Sequence, residues 1–315
     1  MRRALLVGID DYPTAPLAGC VNDAERMAAI LAAHEDGSPN FDCRVLTAPP
    51  EGVTRRVLRH AVEALFREPA DVALLYFSGH GTVNNLGGYL VTVDAEQYDE
   101  GMSMTDVLKL AQGSKAAEVV IILDCCHSGA FGATPAIDND SAVLREGMSV
   151  LAASRATQAS MEVDGAGVFT TLVADALEGG ATDICGNVTV AAVYAYVDQA
   201  LGAWDQRPML KAHVSRFTPL RRTAAEADPA VLRLLPRYFS DPHEELPLDP
   251  GYEPDVEPHD DDKEQAFGHL QTYRDARLLK PVGEKHLYYA AVNSKACALT
   301  ALGRHYWYLA NSGRL

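Results

Sequence analysis

The sequence of 315 residues predicts an α/β domain, a mainly parallel sheet with helices on both faces, followed by a small C-terminal helical module. Short apolar runs alternate with amphipathic stretches over the first 220 residues. Three of those runs are continuous, as strands covered on both faces are. An acidic, proline-rich stretch then separates this part from the tail. Strands are predicted at 4–9, 43–47, 72–78, 119–123 and 148–153, with a last one around 210–215. The first helix follows from "CVNDAERMAAILAAH", which puts Val21, Ala24, Met27, Ala28 and Leu31 on one stripe, with Asp23 near the start where its charge suits the dipole. In "VTRRVLRHAVEALF" the stripe is Val57, Leu58, Ala61, Leu65 and Phe66. "SMTDVLKLA" opens with Ser103 and Asp106 in capping-box spacing. These elements make up residues 1–222.

Residues 223–264 read as a linker: from Asp241 to Glu264 there are eleven Asp or Glu against one Lys, with five prolines, which predicts an extended, self-repelling arm. Order returns over 265–315, where "EQAFGHLQTYRDARLL" and "CALTALGRHYWYLANSGRL" carry helical periodicity. Leu299, Leu302, Tyr306 and Leu309 are predicted on one face and Gly313 at the stop, with a faint winged-helix likeness.

A net charge of −16 disfavours nucleic acid, whose binding draws on clustered Lys and Arg. The apolar runs end well before the ~18 residues that span a bilayer. "MRRALLVG" enters the first strand with no leader-like apolar region. The six cysteines show neither a disulfide framework nor CxxC spacing, so the expectation is a reduced, cytoplasmic chain without membrane contact.

Two segments carry chemistry. "LLYFSGHG" is an apolar strand ending in Ser78-Gly79-His80-Gly81, and "VVIILDCCHSG" is another ending in Asp124-Cys125-Cys126-His127. Strand C-termini of a parallel sheet share one edge, so a histidine and a cysteine 46 residues apart would meet there. A thiol needs only a nearby imidazole for activation, and that imidazole can then protonate a leaving amine. Backbone N–H groups of Gly81 and Cys126 would hold the developing oxyanion. His127 is a poor base for its neighbour, because adjacent side chains on an extended segment point apart. Cys125, Cys126 and His127 match no zinc spacing, so no metal site is assigned. The blander readings are a structural histidine in a glycine-rich turn and a buried cysteine; the joint presence of both motifs favours catalysis.

"YFSGHG" and "LDCCHSG", preceded by "ALLVGIDDYP…LAGCVNDAERM" and followed by "LAASRATQAS…GVFTTLVADAL", resemble the caspase/metacaspase superfamily, nearer to metacaspases and bacterial caspase-like proteins than to animal caspases. The histidine-to-cysteine spacing agrees with animal caspases, but their Q-A-C-[RQG]-G pentapeptide is absent. The resemblance covers about residues 3–220 and implies the caspase–hemoglobinase fold with a Cys126–His80 dyad, the nucleophile being the cysteine directly before His-Ser-Gly. It also implies an acidic S1 pocket formed by Asp23 and Asp124 and bordered by Ser78, suited to Arg and then Lys. Calcium is a further candidate, for which Asp94 fits one ligand position without a full set of matching acids. Self-cleavage in the loop Phe131–Gly147 is implied too, with Arg145 its one basic residue.

The reading is therefore a cysteine endopeptidase that cuts protein or peptide substrates after Arg or Lys through an acyl-enzyme, with no required cofactor. By fold-level analogy it is a zymogen or effector under an upstream activator protein or protease, in bacterial (antiviral) defence or cell death. The alternatives are a catalytically silent, partner-binding scaffold and a peptide ligase using the same dyad.

Overall fold

The computed structural model describes residues 1–47, 51–97, 99–125, 144–153, 162–163, 166–201, 208–257 and 259–315. They divide into two units, one of residues 1–182 and 187–223, the other of 183–186 and 224–315.

In the first unit the chain runs β1 (Arg2–Gly8), α1 (Cys20–Ala32), β2 (Asp42–Leu46), α2 (Arg55–Arg67), β3 (Val72–Ser78), β4 (Gly81–Asn84), β5 (Gly87–Glu96), β6 (Asp99–Ser103), α3 (Met104–Gln112), β7 (Glu118–Asp124) and β8 (Met148–Ala152). It continues through β9 (Glu162–Val163), β10 (Ala166–Gly167), α4 (Val168–Asp175), β11 (Asn187–Thr189), α5 (Val190–Leu201), β12 (Met209–His213) and β13 (Pro219–Arg222). The main sheet has the order β12-β8-β7-β3-β1-β2. All its pairings are parallel except that of β12 with β8. This is the mainly parallel sheet the sequence predicts, with each predicted strand in place.

Helices cover both faces, which is why the central strands are continuously apolar. On one face Leu5, Val7, Leu75, Phe77 and Ile121 pack with Leu58, Val62 and Val107 of α2 and α3. On the other, Leu6, Leu74, Tyr76 and Ile122 pack with Met27 and Leu31 of α1, Phe169 and Val173 of α4 and Val193 of α5. Each such aliphatic side chain contributes about 1.5–3 kcal/mol on burial. Asp10 starts α1 by accepting from the N–H groups of Cys20 (2.9 Å) and Val21 (3.3 Å). Ser103 caps α3 through Thr105 N–H at 3.1 Å, whereas Asp106 pairs with Arg59 instead of closing a capping box.

In the second unit follow α6 (Pro229–Leu232), α7 (Leu235–Tyr238), β14 (Glu245–Pro247), α8 (Asp261–Asp275), β15 (Leu279–Val282), α9 (Leu287–Val292), β16 (Ala296–Leu299) and α10 (Ala301–Asn311). A three-stranded antiparallel sheet of order β14-β16-β15 stands beside the helices expected of this module. The extended linker over 223–264 is corrected. Leu232, Leu235, Phe239 and Leu248 of that segment are buried, and β14 pairs with β16. Its charges find local partners, Lys263 with Asp249 at 2.6 Å and His259 with Glu264 at 2.9 Å.

"ACAL" is a strand, not a helical turn, and Thr300 starts α10 by accepting from Gly303 N–H at 3.1 Å. Consequently Leu302 is exposed, and Gly303 and Trp307 form the buried face, with Trp307 Nε1–H donating to the Phe239 carbonyl at 2.7 Å. Gly313, at φ 66°, does sit where the helix stops.

Within this unit Glu253 is buried, and its Oε2 has no hydrogen-bond partner among the described residues. Burial, then Asp255 and Glu264, raise its carboxyl above the ordinary range. The folded chain thus holds this proton to higher pH than the unfolded one. Its contribution is present below the unfolded pKa, near 4.3, and is lost as pH rises through the folded value. Glu253→Gln should stabilise the second unit by about 1 kcal/mol at pH 7 and flatten that loss, read from hydrogen exchange in residues 224–315 of the full chain.

Candidate active site

The C-terminal ends of β3 and β7 lie side by side, with Ser78 in register with Asp124. Residues level across a parallel pair face the same way, so both belong to the α1/α4 face with Tyr76 and Ile122. Cys125 belongs to the opposite face, buried with Leu123 and Phe77 in the α2/α3 core. It is a packing residue. Cys126, the expected nucleophile and oxyanion donor, lies outside the described residues, as does His127.

Asp23 and Asp124 come together at the start of α4. Asp23 Oδ2 accepts from Gly167 N–H at 3.1 Å, and Asp124 Oδ2 accepts from the Thr170 N–H (3.3 Å) and Oγ1–H (2.7 Å). Thr170 Oγ1 also meets the Tyr76 hydroxyl at 2.6 Å. A Cβ on Gly167 would stand 2.5 Å from Asp124 Oδ2 and 3.0 Å from Asp23 Oδ2, so only glycine lets the two carboxylates share this place. Asp23, Ser78 and Asp124 are buried at 2%, 2% and 5% exposure. The field is strongly negative: the Tyr76 phenol is pushed well above its usual range, first by burial and then by Asp124 and Asp23. The N–H groups at the head of α4 offset part of that charge.

His80 lies between β3 and β4, after Gly79. Its Nε2 lies 2.7 Å from the Ala15 carbonyl oxygen, which can only accept, so Nε2 carries a proton. Nδ1 is then the nitrogen left to exchange a proton with a thiol. The Tyr12 ring stands against the imidazole, centroids 4.6 Å apart. Gly81 sits opposite Leu90 in the antiparallel β4–β5 pair. Because Val91 N–H donates to the His80 carbonyl on the rung before, the alternation of the ladder turns Gly81 N–H away from β5. A cleft of about 280 Å³ beside His80 is lined by Tyr12, Ala15, Gly81, Val91 and Val93 among others.

Two further candidate residues have defined surroundings. The Arg145 guanidinium donates to the carbonyls of Ala111, Ala116 and Glu146 at 3.4, 2.8 and 2.9 Å. It precedes Met148, which pairs with Val119 at the start of β7. That is the opposite end of the strands from Asp124, roughly 17 Å away at ~3.3 Å per residue. Asp94 accepts from Arg55 N–H (2.9 Å) and Thr92 Oγ1–H (2.7 Å). Among the described residues no three His, Cys, Asp or Glu are grouped to hold a metal ion. Nor, among them, is any helix long and apolar enough to cross a membrane.

Tyr12, Ala15, Gly167 and Thr170 carry no signal of their own in the sequence. Tyr12, Gly167 and Thr170 do lie within the segments "DDYP" and "GVFTTL" that bear the family resemblance.

A model of the caspase domain matches residues 1–218. Metacaspase-3 of Trypanosoma cruzi (strain CL Brener) is 28% identical over 150 residues, 41% of this chain and 40% of that protein. The alignment thus spans well under half of that relative's length. A crystal structure of a Geobacter sulfurreducens protein superposes with a TM-score of 0.50 at 17% identity, over 71% of this chain and 98% of that one, a likeness of fold alone. The sheet order, the paired strand ends and the match over residues 1–218 lead to one conclusion: the chain belongs to the caspase-domain family of cysteine peptidases.

Proposed function

We propose that this protein is a cysteine endopeptidase that cleaves protein substrates after arginine, with lysine next, using Cys126 as nucleophile and His80 as its acid–base partner. The observation that carries the reading is the meeting of Asp23 and Asp124 over Gly167, at the strand edge from which His80 also emerges. A buried guanidinium needs paired charge, and two carboxylates suit its planar fork. An aspartate side chain would be repelled there.

In the proposed reaction Cys126 Sγ attacks the scissile carbonyl as His80 Nδ1 takes the thiol proton. The oxyanion is held by the N–H groups of Gly81 and Cys126. Collapse expels the amine, which receives the proton from His80. Water, deprotonated by the same nitrogen, then releases the acyl group. Self-cleavage after Arg145 belongs to the same reading. Because that guanidinium is tied down at the far end of the sheet, the cut is made by a second molecule or after local opening. Such a cut fits a zymogen awaiting an upstream activator.

The test is turnover of fluorogenic peptides ending in Arg, Lys or Asp, with and without calcium, against a Cys126→Ala blank. Arg peptides should lead, Lys should follow, and Asp should trail by at least about 100-fold, as expected when a charge is buried against like charge. Cleavage after Asp alone would overturn the acidic pocket, and cleavage of no peptide, even with calcium and the natural partner added, would overturn the peptidase.

A further inference from the structure

We propose that Tyr12 is a positioning residue for His80: its hydroxyl is inserted into the β4–β5 ladder at the rung that carries the histidine, and its ring backs the imidazole. The inference rests on the reading of His80 as the acid–base group.

The register of β4 with β5 pairs Gly81 with Leu90, so the next rung outward joins His80 to Val91. A hydrogen-bonded rung of an antiparallel pair has two links, each residue donating to the other. One is present, from Val91 N–H to the His80 carbonyl at 3.0 Å. The other is relayed through the tyrosine: His80 N–H donates to Tyr12 Oη at 3.0 Å, and Oη–H donates to the Val91 carbonyl at 3.2 Å. The rung is thereby opened by one oxygen atom on the side from which His80 leaves the ladder. Burial raises the Tyr12 phenol far above its usual range, so it remains the O–H donor this relay needs.

The same short loop fixes the ring. Leu17 N–H and Tyr12 N–H both donate to the Asp10 carbonyl, at 2.9 and 2.8 Å, closing the loop on itself. Ala15, between them, supplies the carbonyl that receives His80 Nε2–H. Tyr12 therefore holds the backbone of His80 and stands against its ring at a 53° tilt, while Ala15 holds one ring nitrogen. Gly79 leaves the room: a Cβ there would lie 2.5 Å from Tyr12 Oη, its closest contact, and 3.1 and 3.2 Å from the Phe77 ring. A mere filler of the core would need only the ring, which phenylalanine supplies equally well. The hydroxyl is what a positioning role requires.

The experiment uses the full chain as Tyr12→Phe, Gly79→Ala and the double variant. Tyr12→Phe should lower kcat on an Arg peptide about 10- to 100-fold with KM within about twofold, part of what a positioned acid–base group supplies. Gly79→Ala should cost a similar factor in the wild-type background and several-fold less in the Tyr12→Phe background, since the closest atom it meets is gone and only the Phe77 ring, at 3.1 and 3.2 Å, remains tight. The ¹⁵N shifts of the His80 ring, assigned by difference with His80→Ala, should show protonated Nε2 in the wild type and a mixture of tautomers in Tyr12→Phe. Unchanged kcat with an unchanged tautomer overturns the proposal, as do additive losses in the double variant. Should the wild type cleave no peptide even with calcium and the natural partner added, the peptidase reading fails by itself. The ring shifts then decide this inference alone: a changed tautomer supports it, and an unchanged one overturns it.

Discussion

His80→Ala should lower kcat on an Arg peptide by about 10²- to 10⁴-fold, the usual worth of a positioned general acid–base group. The loss falls on two proton transfers, out of the Cys126 thiol and into the leaving amine. With Nε2–H engaged by the Ala15 carbonyl, Nδ1 has to perform both. No neighbour on the described strand ends can substitute, since Asp124 is bonded to Thr170 and Cys125 faces the opposite core. Alkylation of Cys126 by iodoacetamide gives a second measure, because only thiolate reacts. In the wild type it should be fast at pH 7. In His80→Ala it should rise only as pH approaches the ordinary thiol range, near 8.5. Among the other cysteines, Cys20 and Cys125 are buried, burial pushes the thiols of Cys43 and Cys297 up to about 11 and about 12, and the partly exposed Cys185 is told apart by its own peptide. Mapping the label by peptide mass spectrometry isolates Cys126. Equal alkylation rates and equal turnover in both proteins would refute the acid–base role.

What could be read from the sequence tracks the range over which each feature is encoded. The strands of the main sheet were legible because burial on two faces leaves continuous runs such as "VALLYF". The apolar stripe of α2 was legible because helical spacing is local. The second unit was harder. "ACAL" is too short to tell a strand from a helical turn, and the acidic run hid Leu248, whose burial depends on a core assembled from distant segments. The site divides the same way. His80, Ser78, Asp124 and Asp23 announce themselves by residue type beside glycines or at element ends. Tyr12 acts on a residue 68 positions away, Thr170 on one 46 away and Gly167 on one 144 away. Only the assembled sheet shows those roles.

Asp124→Asn should lower kcat/KM on Arg peptides by about 10²- to 10³-fold, because removing one partner of a buried charge pair costs about 3–5 kcal/mol. The substitution keeps shape: an amide oxygen can still accept from Thr170 Oγ1–H and N–H, so α4 keeps its anchor and loses only a dipole contribution of about 0.3–1 kcal/mol. Lys peptides should suffer less, since an ammonium is a point charge that Asp23 can still satisfy, whereas a guanidinium fork loses one of its two acceptors. Gly167→Ala attacks the same place by volume, since its Cβ would stand 2.5 Å from one carboxylate and 3.0 Å from the other. Either variant should leave alkylation of Cys126 by iodoacetamide at the wild-type rate, because that reagent has no side chain to place between Asp23 and Asp124. Loss of peptide turnover with full alkylation assigns the carboxylates to substrate selection. Parallel loss of both would make them supports of the catalytic edge, and undiminished Arg cleavage by Asp124→Asn would remove them from recognition.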